Sequence, residues 1–340
     1  MLDRLLIKHL LLGAFLAGLT LSSLLSCSAR TAAGRAANPR LVELLPIELD
    51  PKETERREFG ALTLLSAFEL RSRDARFGGL SGLIIGADGR LYSVSDRGYW
   101  VSARMHLDSD HRLIDLSDWD IQRLLSPDGT PVRGPLTDSE ALARAPDGSF
   151  LVAFEQVHRI WRYPPPPRHL SSPPVSVSIP AEIAKAPRNG GIEGITFLPD
   201  GSLLALTEEF KNADGSFKGW LIENDRFSEL SYMPSNGYRV TDCAALKNGD
   251  VIVLERGVAP LGIFSARLKL VSGRDLRPGA QLVGEEILRL DPPLQVDNFE
   301  GIAIQQDPAK GTMIYIVSDD NYRWFQRTLL LQFRLNRTAD

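Results

Sequence analysis

Residues 191–209 read GIEGITFLPDGSLLALTEE, and their reading decides the fold. The segments GITFL and SLLALT are rich in β-branched and apolar residues, and PDG between them supplies turn chemistry, so the stretch is a β-hairpin. Two antiparallel strands joined by a tight turn bring the start of the first beside the end of the second. Glu193 and Glu208, with Glu209 following, therefore share the open end of the hairpin.

The hairpin recurs in GLSGLIIGADGRLYSVSDRG (79–98), DSEALARAPDGSFLVAFEQ (138–156), TDCAALKNGDVIVLERG (241–257) and NFEGIAIQQDPAKGTMIYIVSDDN (298–321). Each copy has a small apolar strand, a Gly-containing turn and a second strand ending on an acid. Anchoring the copies at Ser81, Glu140, Glu193, Asp242 and Glu300 gives spacings of 59, 53, 49 and 58 residues, the length of a four-stranded propeller blade. Room for two more strands exists in each unit, for example RIWRYP and VSVSIP before Glu193, or GWLIEND and FSELSYM before Asp242. The fold class is thus all-β, a β-propeller of five blades. ALTLLSAFEL (61–70) supplies the missing strand of the last blade, so that the two termini close the ring. A sixth blade built with LVELLPIEL (41–49) is the alternative count. YPPPPRHLSSPP (163–174) reads as a surface excursion, since its prolines cannot sit inside a strand.

If these hairpins are the inner pairs of their blades, one rim of the central channel collects Glu140, Glu193, Asp242 and Glu300. The second-strand ends add Asp96, Glu155, Glu208, Glu255, Asp319 and Asp320. A single acid at a strand end commonly caps a loop or pairs with a neighbouring arginine; recurrence in register is what points to a site. Crowded carboxylates cannot all stay ionised without compensation, which bound cations, arginine partners or protonation can supply. Oxygen ligands drawn from several blades suit Ca²⁺, or Mg²⁺, over zinc. Arg97, Arg256 and Arg323 are also supplied close to the rim. His158, close after Glu155, is either a general acid or a polar packing residue. Trp100, Trp161, Trp220 and Trp324 follow second-strand acids and serve inter-blade packing or a ligand wall. Ser81 lies in GLSG, outside any G-x-S-x-G elbow, and Cys243 reads as a packing residue.

Arg4 and Lys8 precede an apolar run from Leu10 to Leu25, too short for a membrane span and right for a secretory signal. LLSC ending at Cys27 resembles a bacterial lipobox, with the cysteine as the lipidated residue; ordinary signal cleavage nearby is the alternative. The organisation expected is a signal over 1–27, a flexible tether over 28–40 and one propeller domain over 41–340. The location expected is the periplasm or outer membrane of a Gram-negative bacterium, with membrane contact only through a lipid on Cys27. With two cysteines in the chain no disulfide framework exists, and there is no Cys/His zinc cluster. A net charge of −4, without basic blocks interleaved with aromatics, speaks against nucleic-acid binding. A monomer is expected.

The motifs GGLSGL…DGRLYSVSDRG, GIEGITFLPDGSLLALTEE, VLERG and DNFEGIAI…YIVSDDNY…QRTLLLQFRL resemble those of the phytase-like family, "esterase-like activity of phytase", from about Phe77 to Leu335. The resemblance implies a propeller whose Glu and Asp residues carry phosphoesterase chemistry, here Asp96, Glu140, Glu155, Glu193, Glu208, Glu255, Glu300, Asp319 and Asp320. Ser81 and Asp242 depart from the pattern and make the ring asymmetric. The function expected is calcium-assisted hydrolysis of a small phosphorylated substrate. Glu193, Glu300 and Asp319 stand at the chemistry, and the other acids with Asp242 and Asp297 serve as cation ligands. Arg97, Arg256, Arg323 and His158 hold the substrate. Two other readings stand beside it. One is a non-catalytic surface propeller that binds a glycan, peptide or protein, because propellers serve many functions. The other is a metal-dependent lactonase, with Asp297, Asn298 and Glu300 of DNFEG around one ion.

Overall fold

The computed structural model describes residues 41–336, so the signal, the tether and Cys27 lie outside the described residues. Five separate sheets form five blades, each built on four antiparallel strands that follow chain order in blades I to IV, with Gln281–Leu282 added in parallel at the edge of blade III. Blade I contains Leu80–Ile85, Arg90–Ser95, Tyr99–Leu107 and Leu113–Arg123. Blade II contains Ser139–Arg144, Phe150–Phe154, Arg159–Tyr163 and Val175–Val177. Blade III contains Ile192–Phe197, Leu203–Lys211, Phe217–Glu223 and Arg226–Tyr232. Blade IV contains Tyr238–Ala245, Val251–Ala259, Ile263–Val271 and Glu285–Leu290. Blade V begins with Asn298–Asp307, Gly311–Asp319 and Thr328–Leu335, and its fourth strand is the early segment Leu62–Ser72.

That last pairing runs from Leu62 opposite Leu335 to Leu70 opposite Thr328 and locks the ring with chain from both ends. The six-blade count is corrected. Val42–Pro46 adds to the outer edge of blade V by pairing with Phe68–Ser72, and Glu58–Phe59 folds onto Leu62–Thr63.

Turn chemistry sets the hairpins. In PDGS (199–202) the Asp200 carboxylate accepts the Ser202 N–H at 2.9 Å and its hydroxyl at 2.7 Å, while Gly201 takes φ +88°. Asp147 and Ser149 repeat the device in blade II. Blades stack face to face, so both faces of a central strand are covered. This is why Phe150–Phe154 is a continuous apolar run, FLVAF, buried throughout. The buried apolar side chains form five clusters, one at each junction between neighbouring blades. Trp100, Trp161 and Trp220 are buried in these junctions, whereas Trp324 is 94% exposed. The proline-rich excursion is less superficial than its composition predicts. Its short 3-10 turn Arg168–Leu170 buries His169 edge-on against Trp100, Tyr92 and Phe150.

Each first strand packs against the first strand of the next blade, and that of blade V returns to blade I. The five therefore line one central channel, all entering it from the same end. Towards its other end the channel holds a cavity of about 220 Å³, lined by residues from every first strand, such as Ile84, Leu142, Ile195, Cys243 and Ile302.

Candidate functional site: a two-tier rim of carboxylates

All five first strands carry a β-bulge where they enter the channel, and the extra residue is Gly82, Glu140, Glu193, Thr241 or Glu300. A bulge leaves one residue out of the ladder and re-aims its side chain, here at the mouth of the channel. Opposite, the residue just past the ladder pair that flanks the bulge is Glu155, Glu208, Arg256 or Asp319 in blades II to V, and Ser95, followed directly by Asp96, in blade I. The rim thus has an inner and an outer tier, each with one position per blade.

Blade I contributes no inner acid because Gly82 sits at φ +65°, and a Cβ there would lie 2.7 Å from the Leu142 nitrogen of blade II. In blade IV the inner residue, Thr241, donates its hydroxyl to the Phe299 carbonyl of blade V at 2.9 Å. Its outer residue is a cation, Arg256, whose guanidinium bonds Glu208 of blade III and Glu300 of blade V and donates to Asn298 Oδ1 at 2.8 Å.

On the opposite side, oxygens of Asp138, Glu140 and Glu155 lie within 4.8 Å of one another, and none of the three forms an ion pair among the described residues. Glu155 is held in place by the N–H groups of Gly190, at 2.6 Å, and Gly191. Burial and mutual repulsion push the rim acids upward. Asp96 rises to about 7, by burial and then by the Asp138 charge. Glu155 rises to about 8, chiefly by burial, against the pull of the two glycine N–H groups. Glu300 rises to about 7, by burial, although Arg256 pulls it down. Glu140, Glu193 and Asp319 are driven well above the carboxylate range by burial and by neighbouring acids, and Glu208 is raised by burial against Arg256 and Arg239. The Glu300 charge acts on Glu140 of blade II, so the tiers interact across the channel.

Equal spacing misplaces two blades, because it ignores which residue the bulge expels. Asp242 lies one residue past the blade IV bulge; its carboxylate accepts the N–H groups of Cys243 and Ile302, both at 2.8 Å, and joins blades IV and V instead of facing the rim. Glu255 lies one residue before the outer position. It is fully buried and accepts from the Tyr232 hydroxyl at 2.7 Å and the Ser235 N–H at 3.0 Å. Ser81, likewise, precedes the expelled residue and is buried.

Asp297 is spent on the N–H groups of Asn298 and Arg327, at 2.9 and 3.0 Å. Asp320 receives the N–H groups of Gly79 and Tyr322, both at 3.0 Å, and stitches blade V to blade I. Arg97 is exposed and stacks 3.4 Å above the Tyr322 ring, and Arg323 is exposed with its guanidinium 5.9 Å from the Phe325 ring. His158 Nε2 donates to the Pro187 carbonyl at 3.0 Å, and its Nδ1 is buried beside Gly191 with no hydrogen-bond partner among the described residues. Sequence reasoning missed Asp138, whose only signal was a second acid two residues before Glu140 in DSE. It also missed Arg239, which pairs with Glu209 and comes within 3.8 Å of Glu208.

Comparison with known proteins adds a family. The profile of the phytase-like family, described as esterase-like activity of phytase, matches residues 75–322. No curated protein sequence matches significantly. Among solved structures, an α-L-arabinofuranosidase from Podospora anserina in complex with cellotriose is similar at 11% identity and a TM-score of 0.50, over 81% of this chain and 97% of that one. The PQQ-bound aldose sugar dehydrogenase of Streptomyces coelicolor has 14% identity and a TM-score of 0.46, over 82% and 99% of the two chains. At such identities the likeness is one of fold alone. The family match spans most of the chain, and the chain belongs to the phytase-like family, described by a hydrolytic, esterase-like activity.

Proposed function

We propose that the rim is the active site of a divalent-cation-assisted hydrolase of phosphate esters, with calcium as the ion. The observation that carries this reading is the Asp138, Glu140 and Glu155 cluster, three carboxylates within 4.8 Å that form no ion pair among the described residues, Arg159 acting on Asp138 only at longer range. The donor set fits a hard cation, since every ligand is a carboxylate oxygen, as calcium prefers. A buried, unpartnered oxygen, Glu300 Oε2, belongs to the same rim and supports the fit. When bound, such an ion supplies Lewis acidity towards an ester oxygen and lowers the pKa of a coordinated water.

The chain's own residues divide the remaining work. Glu155 is oriented by the glycine N–H groups as a rigid ligand. Arg256 bonds Glu208 and Glu300 and favours their ionised forms against the cost of burial. Glu193 makes no hydrogen bond to other described residues and feels the charges of Glu208, Glu155 and Glu140; a cation that offset those charges would leave it ionised and able to accept a proton from the attacking water. Membership of a family described by an esterase-like activity supports the hydrolytic step.

Export, by the apolar segment that ends near Cys27, is part of the same proposal, with the protein acting as a monomer in the cell envelope. The test is release of phosphate or alcohol from phytate and from simple phosphomonoesters and diesters, with calcium and with chelator. Calcium-dependent release supports the reading; none from any of them removes it. A second reading, a non-catalytic binding propeller, draws on the blade IV side, where acids are paired with arginine as a cation-free rim requires. For the lactonase reading, Asn298 and Glu300 of the expected set are bonded by Arg256, and both Asp297 oxygens accept backbone N–H groups, which weighs against it.

A further inference from the structure

Of the arginines that the spacing of the motifs brings near the rim, Arg256 is consumed by carboxylates, whereas Arg97 and Arg323 are exposed single cations lying against the Tyr322 and Phe325 rings. Paired positive charge lines a cavity of about 480 Å³ between blades III and IV, at the same end of the blades as the rim. Its walls are the end of the strand that carries Glu208, the connection Met233–Gly237, and the start of the strand that carries Thr241.

The lining contains two cations, Lys211 and Arg239, and no carboxylate. Lys211 is exposed and forms no ion pair among the described residues; its ammonium lies 5.5 Å from the Phe217 ring. Arg239 uses one edge of its guanidinium on Glu209 and Glu208, and its Nε–H has no acceptor among the described residues. The turn beside them adds further donors. Gly237 takes φ +78°, and the N–H groups of Asn236 and Gly237 and the Asn236 side-chain amide have no acceptor among the described residues. Two cations and converging free N–H groups in a concave site are the chemistry of oxyanion capture.

We propose that this cavity binds an oxyanion, a phosphate or a carboxylate group, through Lys211, Arg239 and the Asn236–Gly237 turn. Arg239 also touches Glu208, so an anion bound there lies one guanidinium away from the carboxylate rim. The site needs neither a bound cation nor turnover, and it stands whether or not the rim is hydrolytic.

The test is calorimetric titration of the whole protein, freed of divalent cations by chelator, with inorganic phosphate and separately with acetate. Saturable binding of either, weakened about tenfold by Lys211→Met with thermal stability unchanged, supports the proposal, and the anion that binds more tightly identifies the source. Arg239→Gln provides a second variant and is expected to weaken binding likewise. Absence of binding by both anions, or binding that Lys211→Met leaves unchanged, overturns it. Intact anion binding in a protein that hydrolyses no phosphate ester removes the hydrolase reading alone.

Discussion

Blade II and blade IV are built from the same hairpin, yet they deliver opposite charges to the rim. Blade II sends Glu140 and Glu155 to its two positions and adds Asp138, whereas blade IV sends Thr241 and Arg256. The backbones agree down to the bulge, so the difference lies in single side chains at equivalent sites. A carboxylate ring around a channel a few ångströms wide is intolerable when fully ionised, and the fold offers relief on one side only. Arg256 bonds Glu208 of blade III and Glu300 of blade V, while the Asp138, Glu140 and Glu155 cluster of blade II forms no ion pair among the described residues. On the proposed reading, that asymmetry is what directs an external cation to blade II.

The largest expected effect is catalytic. Glu193→Gln removes the unbonded rim carboxylate and should lower turnover about 10²–10⁴-fold, while calcium still binds. Equal losses of turnover and of calcium binding would show Glu193 to be a ligand instead.

Next in size is stability, and here the two sides should respond with opposite signs. Arg256→Met leaves Glu208 and Glu300 buried without a counter-charge and should cost about 3–5 kcal/mol, read by denaturant unfolding. Glu140→Gln, on the uncompensated side, relieves repulsion and should leave the cation-free protein as stable as the parent or more so.

pH sharpens the same contrast. The folded chain holds Asp96, Glu155 and Glu300 at about 7, about 8 and about 7, above their values in the unfolded chain. Between about pH 4 and those values the folded state keeps protons that the unfolded chain releases. The cation-free protein should therefore lose stability as pH rises from about 5 to about 8, and added calcium should restore it most at the upper end. A flat thermal-unfolding profile over this range without calcium would contradict the electrostatic account. The smallest effect expected is at Glu255, which lies just off the rim. Glu255→Gln keeps an acceptor for Tyr232 and Ser235 and should change calcium binding less than twofold, a modest perturbation of a neutral hydrogen bond.

The propeller was legible in the sequence because its signals are local. The PDGS turns, the short apolar strands and the repeat near 50–60 residues each have a backbone cause, and even the closing strand at Leu62–Ser72 could be counted. The shared mouth of the acids followed from hairpin geometry. Which acid faces that mouth did not follow, because a bulge shifts the alternation by one residue without any mark in composition. Asp242 and Glu255 are acids at plausible offsets, and the register turns both into the junctions between blades. Conversely, Arg256 reads as a flanking cation in VLERG and proves to be a member of the ring. Asp138 and Arg239 stand outside the repeat's regular positions, so spacing alone could not single them out.

The claim on which the rest depends is that the uncompensated carboxylates of blade II hold a divalent cation. Calorimetric titration with calcium at neutral pH, comparing the parent with Glu140→Gln, tests it most directly. The account predicts saturable binding by the parent, weakened at least about tenfold by the substitution. Absence of binding by the parent, or equal affinity in the two proteins, would contradict it.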